Sequence, residues 1–309
     1  MTLLIVSPGR ETSSWVKAIR AVDPEIPVAV YPEAIENDKV SFVLAWKHPM
    51  GILKQYPNVK AILSMGAGVD FLFDDPEIPW HIPIARIVDP ELSKTMFEFV
   101  LAMIMNHLRG LTAYKKQQTE GAWNPKLYKR IQDVRVGIMG VGEIGRYVAA
   151  QLKQMGFAVH AWAQSVKPDC SIKVYAGSEN LDAFLNETDM LVCLLPATKQ
   201  TRGLLNKQIL AKLPEGASLI NVARGSILVE EDLLELINSG HLSRASLDVF
   251  SQEPLPKEHP FWKHSKIDIT PHVASITNPK TVASQLVENY HRAMRGEALL
   301  HAVSREKGY

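Results

Sequence analysis

The sequence predicts an α/β protein built from two doubly wound parallel sheets. Three observations lead there. Short apolar runs bounded by Gly, Pro, Asn and Asp alternate with helical patterns along almost the whole chain. One run, residues 134–138, meets Gly140-x-Gly142-x-x-Gly145 and then a helical pattern reaching Leu152. An earlier run, residues 59–65, ends in a similar turn, Gly66-Ala-Gly68-Val-Asp70, so the same kind of unit is met twice.

Taken in order, residues 3–7 read as a buried strand, 15–21 as a helix, and 28–31, 41–46 and 59–65 as further strands. From Pro90 to residue 118 the chain carries Met96, Phe97, Val100, Leu101, Ile104 and Leu108 at helical spacing with no interrupting proline, which predicts one long helix. Gly121 and Pro125 end it. Strands follow at 134–138, 157–162, 190–195, 218–222, 245–249 and 267–270. Helices are expected at 181–185, 205–210, 230–237 and 282–294, the third closed by Gly240. The expected division is 1–100, completed by 278–309, and 101–277.

With 309 residues the chain is long enough for two cores. Its 34 Lys and Arg nearly cancel 33 Asp and Glu, with no basic stripe for nucleic acid. The apolar run at 97–105 carries Glu98 and is too short to cross a bilayer, so no membrane partner is expected. The apolar start lacks a basic lead and meets Pro8 and Gly9 at once, which reads as a strand and not a signal peptide. Cys170 and Cys193 belong to no metal-spaced cluster, so no metal is expected and the cytoplasm is the expected compartment.

The glycine pattern fits a dinucleotide. Gly140 permits a sharp turn, Gly142 lets backbone approach a pyrophosphate, and Gly145 lets helix and strand pack closely. The helix end then offers unpaired N–H groups to phosphate. In an open parallel sheet the ligand lies outside the carboxyl ends of the strands, so the chemistry belongs in the loops there.

Three such loops stand out. Asn221-Val-Ala-Arg224-Gly225 places a guanidinium where its planar fork can grip a carboxylate. Asp248 closes a strand, and Glu253 follows in a loop stiffened by Pro254 and Pro256. His272 follows Thr270-Pro271 directly after another strand. A carboxylate beside an imidazole fixes its tautomer and favours its charged form. A Glu253–His272 pair is therefore a candidate general acid for a carbonyl oxygen, with Arg224 holding the substrate.

On these residues the chain resembles the D-2-hydroxyacid dehydrogenases that use a nicotinamide cofactor. The marks are Gly66-Ala-Gly68-Val-Asp70, the 136–145 fingerprint, Leu194-Leu-Pro196-Ala-Thr-Lys-Gln-Thr201, Asn221-Val-Ala-Arg224-Gly225, Leu247-Asp248-Val-Phe250 with Glu253-Pro254-Leu255, and Thr270-Pro271-His272. Trp46-Lys-His-Pro49, Met65-Gly-Ala-Gly-Val-Asp70, Pro271-His-Val-Ala-Ser275 and the terminal Gly308-Tyr309 are most similar to its glyoxylate/hydroxypyruvate reductase A branch.

The resemblance implies a flavodoxin-like substrate domain beside a Rossmann domain that binds NAD(P). It implies Arg224, Glu253 and His272 as the catalytic set. It implies that Gly140, Val141, Gly142, Glu143, Ile144, Gly145, Leu195, Pro196, Val222, Ala223, Arg224, Asp248 and His272 line the cofactor site, with Asp248 bonded to the nicotinamide carboxamide. Backbone N–H groups of Met65, Gly66, Ala67 and Gly68 would take the substrate carboxylate, beside Arg224 and His272. Trp46, and also Trp123, would line the substrate pocket. A homodimer is implied, with the long helix near its interface.

An NAD site expects an acid about twenty residues past the fingerprint. Here that position reads Ala163-Gln164-Ser165-Val166-Lys167, without one. Gln164, Ser165 and Lys167 are therefore candidates for a 2′-phosphate, with NADP the expected cofactor and NAD the other. The implied activity is reduction of small 2-keto acids, glyoxylate or hydroxypyruvate, to D-2-hydroxy acids. The alternatives are a broader or phenylpyruvate-type dehydrogenase and a non-catalytic, dinucleotide-sensing protein like the corepressor relatives.

Overall fold

The computed structural model of the chain describes residues 1–33, 35–166 and 170–309. They divide into two units, Met1–Glu91 with Ile276–Tyr309, and Leu92–Ser275.

The first unit begins with β1 (Thr2–Val6), α1 (Ser13–Val22), β2 (Val28–Val30) and β3 (Val40–Ala45). β4 (Ala61–Ser64), the short α2 (Asp70–Phe73) and β5 (Ile84–Ala85) follow. Every residue of β1, β3 and β4 is buried, which is why these strands read as continuous apolar runs without alternation. The strand order is β2-β1-β3-β4-β5, and every pair is parallel. That is the flavodoxin-like doubly wound order. The C-terminal helix, Pro279–Arg295, returns to this unit and packs on α1. Its Tyr290 meets Phe42 of β3 edge-on at 5.8 Å.

The second unit holds α3 (Pro90–Arg109), α4 (Leu111–Glu120), β6 (Arg135–Met139), α5 (Glu143–Gln154), β7 (Ala158–Ala163) and β8 (Lys173–Ala176). It continues with α6 (Leu181–Asn186), β9 (Met190–Cys193), α7 (Lys207–Leu210), β10 (Ala217–Asn221), α8 (Glu230–Asn238), β11 (Leu242–Leu247) and β12 (Ile267–Ile269). Its parallel sheet runs β12-β11-β10-β9-β6-β7-β8. The chain leaves β6 towards β8 and restarts at β9 on the other side of β6. The crevice where the order reverses therefore opens beside the turn that follows β6.

Three features differ from the expectation. The helix expected over 90–118 is two helices, because Gly110 adopts φ 63° between α3 and α4. The unit boundary falls at 91/92, not 100/101, because Met96, Val100, Ile104 and Leu108 of α3 enter one core with Val136, Ile138 and Val148. On the return it falls at 275/276, two residues before the expected 277/278. β5 and β8 were not expected. One is two residues long behind Pro83, and the other is a four-residue edge strand.

A polar cluster spans the helix break. Asp268, next to β11 on the outermost strand, accepts from Asn106 Nδ2 at 3.0 Å and from Thr112 Oγ1 at 2.8 Å, one residue from each helix. The adjacent His107 is buried, with Nε2 2.8 Å from Ser246 Oγ. Burial, helped by the Arg244 charge, pushes its imidazole down to about 3. The folded state thus keeps His107 neutral where the unfolded chain, near 6.5, takes up a proton. Stability from this residue is present above about pH 6.5 and is lost as pH falls towards 3. In urea unfolding at pH 7.5 and 5.0, His107→Gln should narrow the stability difference between the two pH values. An unchanged difference would remove His107 from the acid sensitivity of the fold.

Candidate active site

The glycine turn meets the geometric demands of a phosphate cradle. Gly140 has φ 113°, and a Cβ there would lie 2.8 Å from the Leu194 carbonyl carbon and oxygen. The bare Cα lets the segment after β9, with Leu195 and Pro196, lie directly against the turn. A Cβ at Gly145 would sit 1.9 Å from Gly140 O, so only glycine lets α5 start this close to β6. At Gly142 a Cβ would meet nothing within 4 Å. The protein leaves that position open, as approach of a ligand requires. No side chain caps α5, and its first return bond runs from Arg146 N to Gly142 O. The N–H groups of Glu143, Ile144 and Gly145 thus have no preceding helical turn to bond. The dinucleotide pyrophosphate fits here, with Val141 beside it. Gln164 and Ser165 lie exposed just past β7. Lys167 lies outside the described residues.

Beyond β10, Val222 and Ala223 are buried and Arg224 is half-buried. Asn221 shapes this corner. Its Oδ1 accepts from Ala223 N at 3.2 Å, and its Nδ2 donates to Arg224 O at 3.3 Å. Arg224 Nη1 donates to Ala223 O at 2.7 Å, which bends the guanidinium back along its own loop. The next residue is decisive for packing. A Cβ on Gly225 would fall 1.8 Å from Phe250 C, so the arginine loop rests on the backbone of the loop carrying Glu253. That second loop is also held from α8. Glu230 accepts from Ser251 N at 2.9 Å with one oxygen and lies 3.3 Å from His259 Nε2 with the other.

Glu253 uses both carboxylate oxygens. Oε1 accepts from Phe250 N at 3.1 Å, which closes its own turn, and Oε2 accepts from His272 Nδ1 at 2.8 Å. With Nδ1 so engaged, the Nε2 side of the ring is the one that can address a substrate oxygen. The pair is neither buried nor fully solvated, with side chains 24% and 18% exposed.

His272 stands in a left-handed backbone conformation, φ 55°. Asp248, only 1% exposed, holds it there. Its Oδ1 accepts from Thr270 Oγ1 at 2.6 Å and from Val273 N at 2.9 Å, and its Oδ2 from Ala274 N at 2.9 Å. These partners bracket His272 on both sides. A left-handed non-glycine residue costs on the order of 1–3 kcal/mol. Hydrogen bonds to a charged group contribute roughly 1.5–3 kcal/mol each. Three of them are ample to hold the loop. Ser275 continues the anchoring, with Oγ donating to Leu92 O at 2.9 Å. The resemblance assigned Asp248 to the cofactor carboxamide; the fold puts most of its acceptor capacity into the His272 loop.

In the first unit, the turn at 65–68 follows β4. Two of its four expected N–H donors are already committed. Met65 N bonds Ala45 O at 3.0 Å, still in sheet register, and Gly66 N bonds Ser64 Oγ at 3.2 Å. Ala67 and Gly68 carry the remaining N–H groups of the turn. Ser64 Oγ in turn donates to Gly68 O at 2.7 Å, a support that the sequence reading missed. Trp46 is half-buried and lies against this turn; a Cβ on Gly66 would be 3.0 Å from its ring. Trp123, by contrast, is 94% exposed, on a segment without regular secondary structure. Among the described residues no group of three or more His, Cys, Asp or Glu could hold a metal. No helix there is long and apolar enough to cross a membrane. Both cysteines are free, and burial pushes the Cys193 thiol up to about 12.

A seven-stranded parallel sheet with a glycine cradle at its switch point and an imidazole–carboxylate pair on its carboxyl-end loops defines a dinucleotide-binding α/β oxidoreductase. Residues 101–274 match the family model of the D-isomer specific 2-hydroxyacid dehydrogenase NAD binding domain. The chain belongs to the D-isomer specific 2-hydroxyacid dehydrogenase family. It is 36% identical to glyoxylate/hydroxypyruvate reductase A of Escherichia fergusonii, over the full length of both. Among solved structures it is similar to a D-isomer specific 2-hydroxyacid dehydrogenase of Xanthobacter autotrophicus Py2 in complex with NADPH and MES. That match has 36% identity, TM-score 0.94, and coverage of 100% of this chain and 99% of the other. It is also similar to an NADPH-dependent glyoxylate/hydroxypyruvate reductase of Sinorhizobium meliloti in complex with NADP and sulfate. There the identity is 34%, the TM-score 0.92, and both chains are fully covered.

The Asp248 bracket separates two roles by measurement. Asp248→Asn turns one accepting oxygen into a donor facing backbone N–H or hydroxyl groups, which frees the His272 loop. Turnover should fall about 10–100-fold, the cost of one such bond, while dinucleotide affinity stays within about threefold. A loss confined to dinucleotide affinity would assign Asp248 to the cofactor instead.

Proposed function

We propose that this chain reduces small 2-keto acids with NADPH, glyoxylate to glycolate and hydroxypyruvate to the D-2-hydroxy acid. The observation that carries this reading is the 2.8 Å Glu253–His272 pair held on the same sheet edge as the glycine cradle. Residues 140–145, with Leu195, Pro196, Val222 and Ala223 nearby, would hold the cofactor, which when bound would supply a hydride for the carbonyl carbon. His272 gives the proton to the carbonyl oxygen as charge develops on it. Glu253 fixes the ring tautomer and offsets the imidazolium charge. Arg224 grips the carboxylate and polarises the carbonyl. Within the first unit, the turn at 65–68 is the one that the resemblance gives to a substrate carboxylate, through the Ala67 and Gly68 N–H groups. The absence of an acid at 163–167 favours the 2′-phosphate of NADP, which Gln164, Ser165 and Lys167 would receive. The cofactors of the Xanthobacter and Sinorhizobium relatives support the same choice.

The assembly we assign is a homodimer. Residues 121–130 form an arm pinned to α4, with Asn124 N donating to Gln117 Oε1 at 3.0 Å and Lys126 N to Tyr114 Oη at 2.8 Å. Trp123, Leu127 and Tyr128 of this ordered arm are 94%, 104% and 58% exposed. A second copy of the chain would cover them.

Two experiments test these assignments. Oxidation of NADPH and of NADH is followed with glyoxylate, hydroxypyruvate, pyruvate and phenylpyruvate. The small acids should turn over faster with NADPH, and His272→Ala should abolish turnover yet leave NADPH binding within about threefold. Turnover of phenylpyruvate alone would move the substrate and keep the chemistry; binding without any turnover would point to the sensing role. In analytical ultracentrifugation the native chain should sediment as a dimer and Trp123→Glu with Leu127→Glu as a monomer. A dimeric double variant would place the interface elsewhere.

A further inference from the structure

The first unit contains a second imidazole–carboxylate pair that the chemistry above does not use. His48 and Asp75 are both fully buried, with Nε2 2.8 Å from Oδ2. Asp75 Oδ2 also accepts from Gly51 N at 3.0 Å, and Oδ1 from Glu77 N at 3.0 Å. One carboxylate thereby gathers three donors and closes the loop that runs from the end of β3 to Gly51. Burial alone would raise the Asp75 carboxyl, but His48 and the two N–H groups outweigh it and hold it below its ordinary value. His48 Nδ1 is buried with no hydrogen-bond partner. An apolar ring would fill this space without that unpaired nitrogen, so the contribution of the imidazole lies in its bond to Asp75.

The same loop begins with Trp46, and one ring joins the two. Phe71 of α2 meets the His48 ring at 5.8 Å and the Trp46 ring at 5.5 Å. Between them Lys47 takes a left-handed backbone, φ 42°, which the loop must hold against its strain. Trp46 is then confined on three sides: by Phe71, by the Arg10 guanidinium 4.6 Å from its centroid, and by the Gly66 backbone of the carboxylate turn.

We infer that the His48–Asp75 pair is a specificity-positioning device that, through Phe71, holds the Trp46 indole against Gly66 as a wall limiting substrate size. The inference rests on the reading of residues 65–68 as the turn that takes the substrate carboxylate. Neither His48 nor Asp75 touches the reacting atoms. With the wall held, glyoxylate is favoured over 2-keto acids with longer tails; with it released, the longer acids gain. A pocket contact with one methylene changes selectivity by roughly 10–200-fold, so the effect is measurable.

The test compares kcat and KM for glyoxylate and 2-ketobutyrate in wild type, Asp75→Asn, His48→Ala and His48→Gln. An asparagine at 75 presents its NH2 group to donors and breaks the closure. Asp75→Asn and His48→Ala should lower the glyoxylate preference in kcat/KM by about tenfold, mainly through KM, with kcat changed less than about threefold. His48→Gln, whose amide can still donate to Asp75, should recover most of the preference. In a Trp46→Ala background, where the wall is gone, Asp75→Asn should change nothing further. A readout independent of turnover is the 19F spectrum of 5-fluorotryptophan protein, with the Trp46 signal assigned by Trp46→Phe. That signal should shift or broaden in Asp75→Asn and return in His48→Gln.

Unchanged preference in folded Asp75→Asn and His48→Ala overturns the inference, as does an equal loss in the Trp46→Ala background. Should Asp75→Asn not fold, the two His48 variants carry the comparison. Failure of the functional reading looks different: wild type would turn over neither acid, while the 19F signal would still report the positioning of Trp46.

Discussion

The geometry of the imidazole–carboxylate pair depends on one strained residue. His272 occupies a left-handed backbone conformation, and the buried Asp248 carboxylate holds it there through the hydroxyl and N–H groups on either side. A relaxed loop would release the imidazole from Glu253. The interaction is strong because a charged acceptor is placed among short-range donors away from water. Asp248 sits one residue past β11, so the orientation of the imidazole is referred to the rigid sheet and not to the surface.

Around that loop the remaining groups are brought together by absent side chains. Gly225 lets the arginine loop touch the Phe250 backbone, Gly140 lets the segment after β9 reach the nucleotide turn, and Gly145 lets α5 reach β6. In each case a Cβ would fall within 3 Å of backbone, which has no rotamer to yield. Adjacent parallel strands lie nearly 5 Å apart, and their loops would splay without such contacts. Close backbone approach thus converts strand order into a site.

Much of this was legible in the sequence, and the legible parts share a cause. Long buried strands read as apolar runs, and Gly140 and Gly145 of the glycine pattern stand where backbone leaves no room for a Cβ, while Gly142 stays open. Arg224, Glu253 and His272 were singled out because parallel topology sends ligands to strand ends. Other features were hidden. Gly110 looked like a tolerable helix residue, since only its φ of 63° reveals the break. β8 is an edge strand with little apolar signal, and β5 is too short to produce one. The commitment of Met65 and Gly66 N–H depends on sheet register and on one serine hydroxyl, neither of which a glycine-rich motif encodes. His48 and Asp75 stand 27 residues apart, and no local pattern ties such a pair.

The two histidine–carboxylate pairs show how one chemistry takes two roles by environment. Each has a 2.8 Å bond, yet His48 and Asp75 are sealed from solvent while His272 and Glu253 keep about a fifth of their side-chain surface. A proton donor must reach its acceptor and be reprotonated each cycle, so of the two the accessible pair is the one suited to proton transfer. The sealed pair cannot exchange with substrate, but its desolvation strengthens the same bond as a structural tie. His107 marks a third setting. It is buried beside the cationic Arg244 with Asp268 3.9 Å away, and it is held neutral as a hydrogen-bonding ring. Accessibility, more than residue identity, separates the three settings.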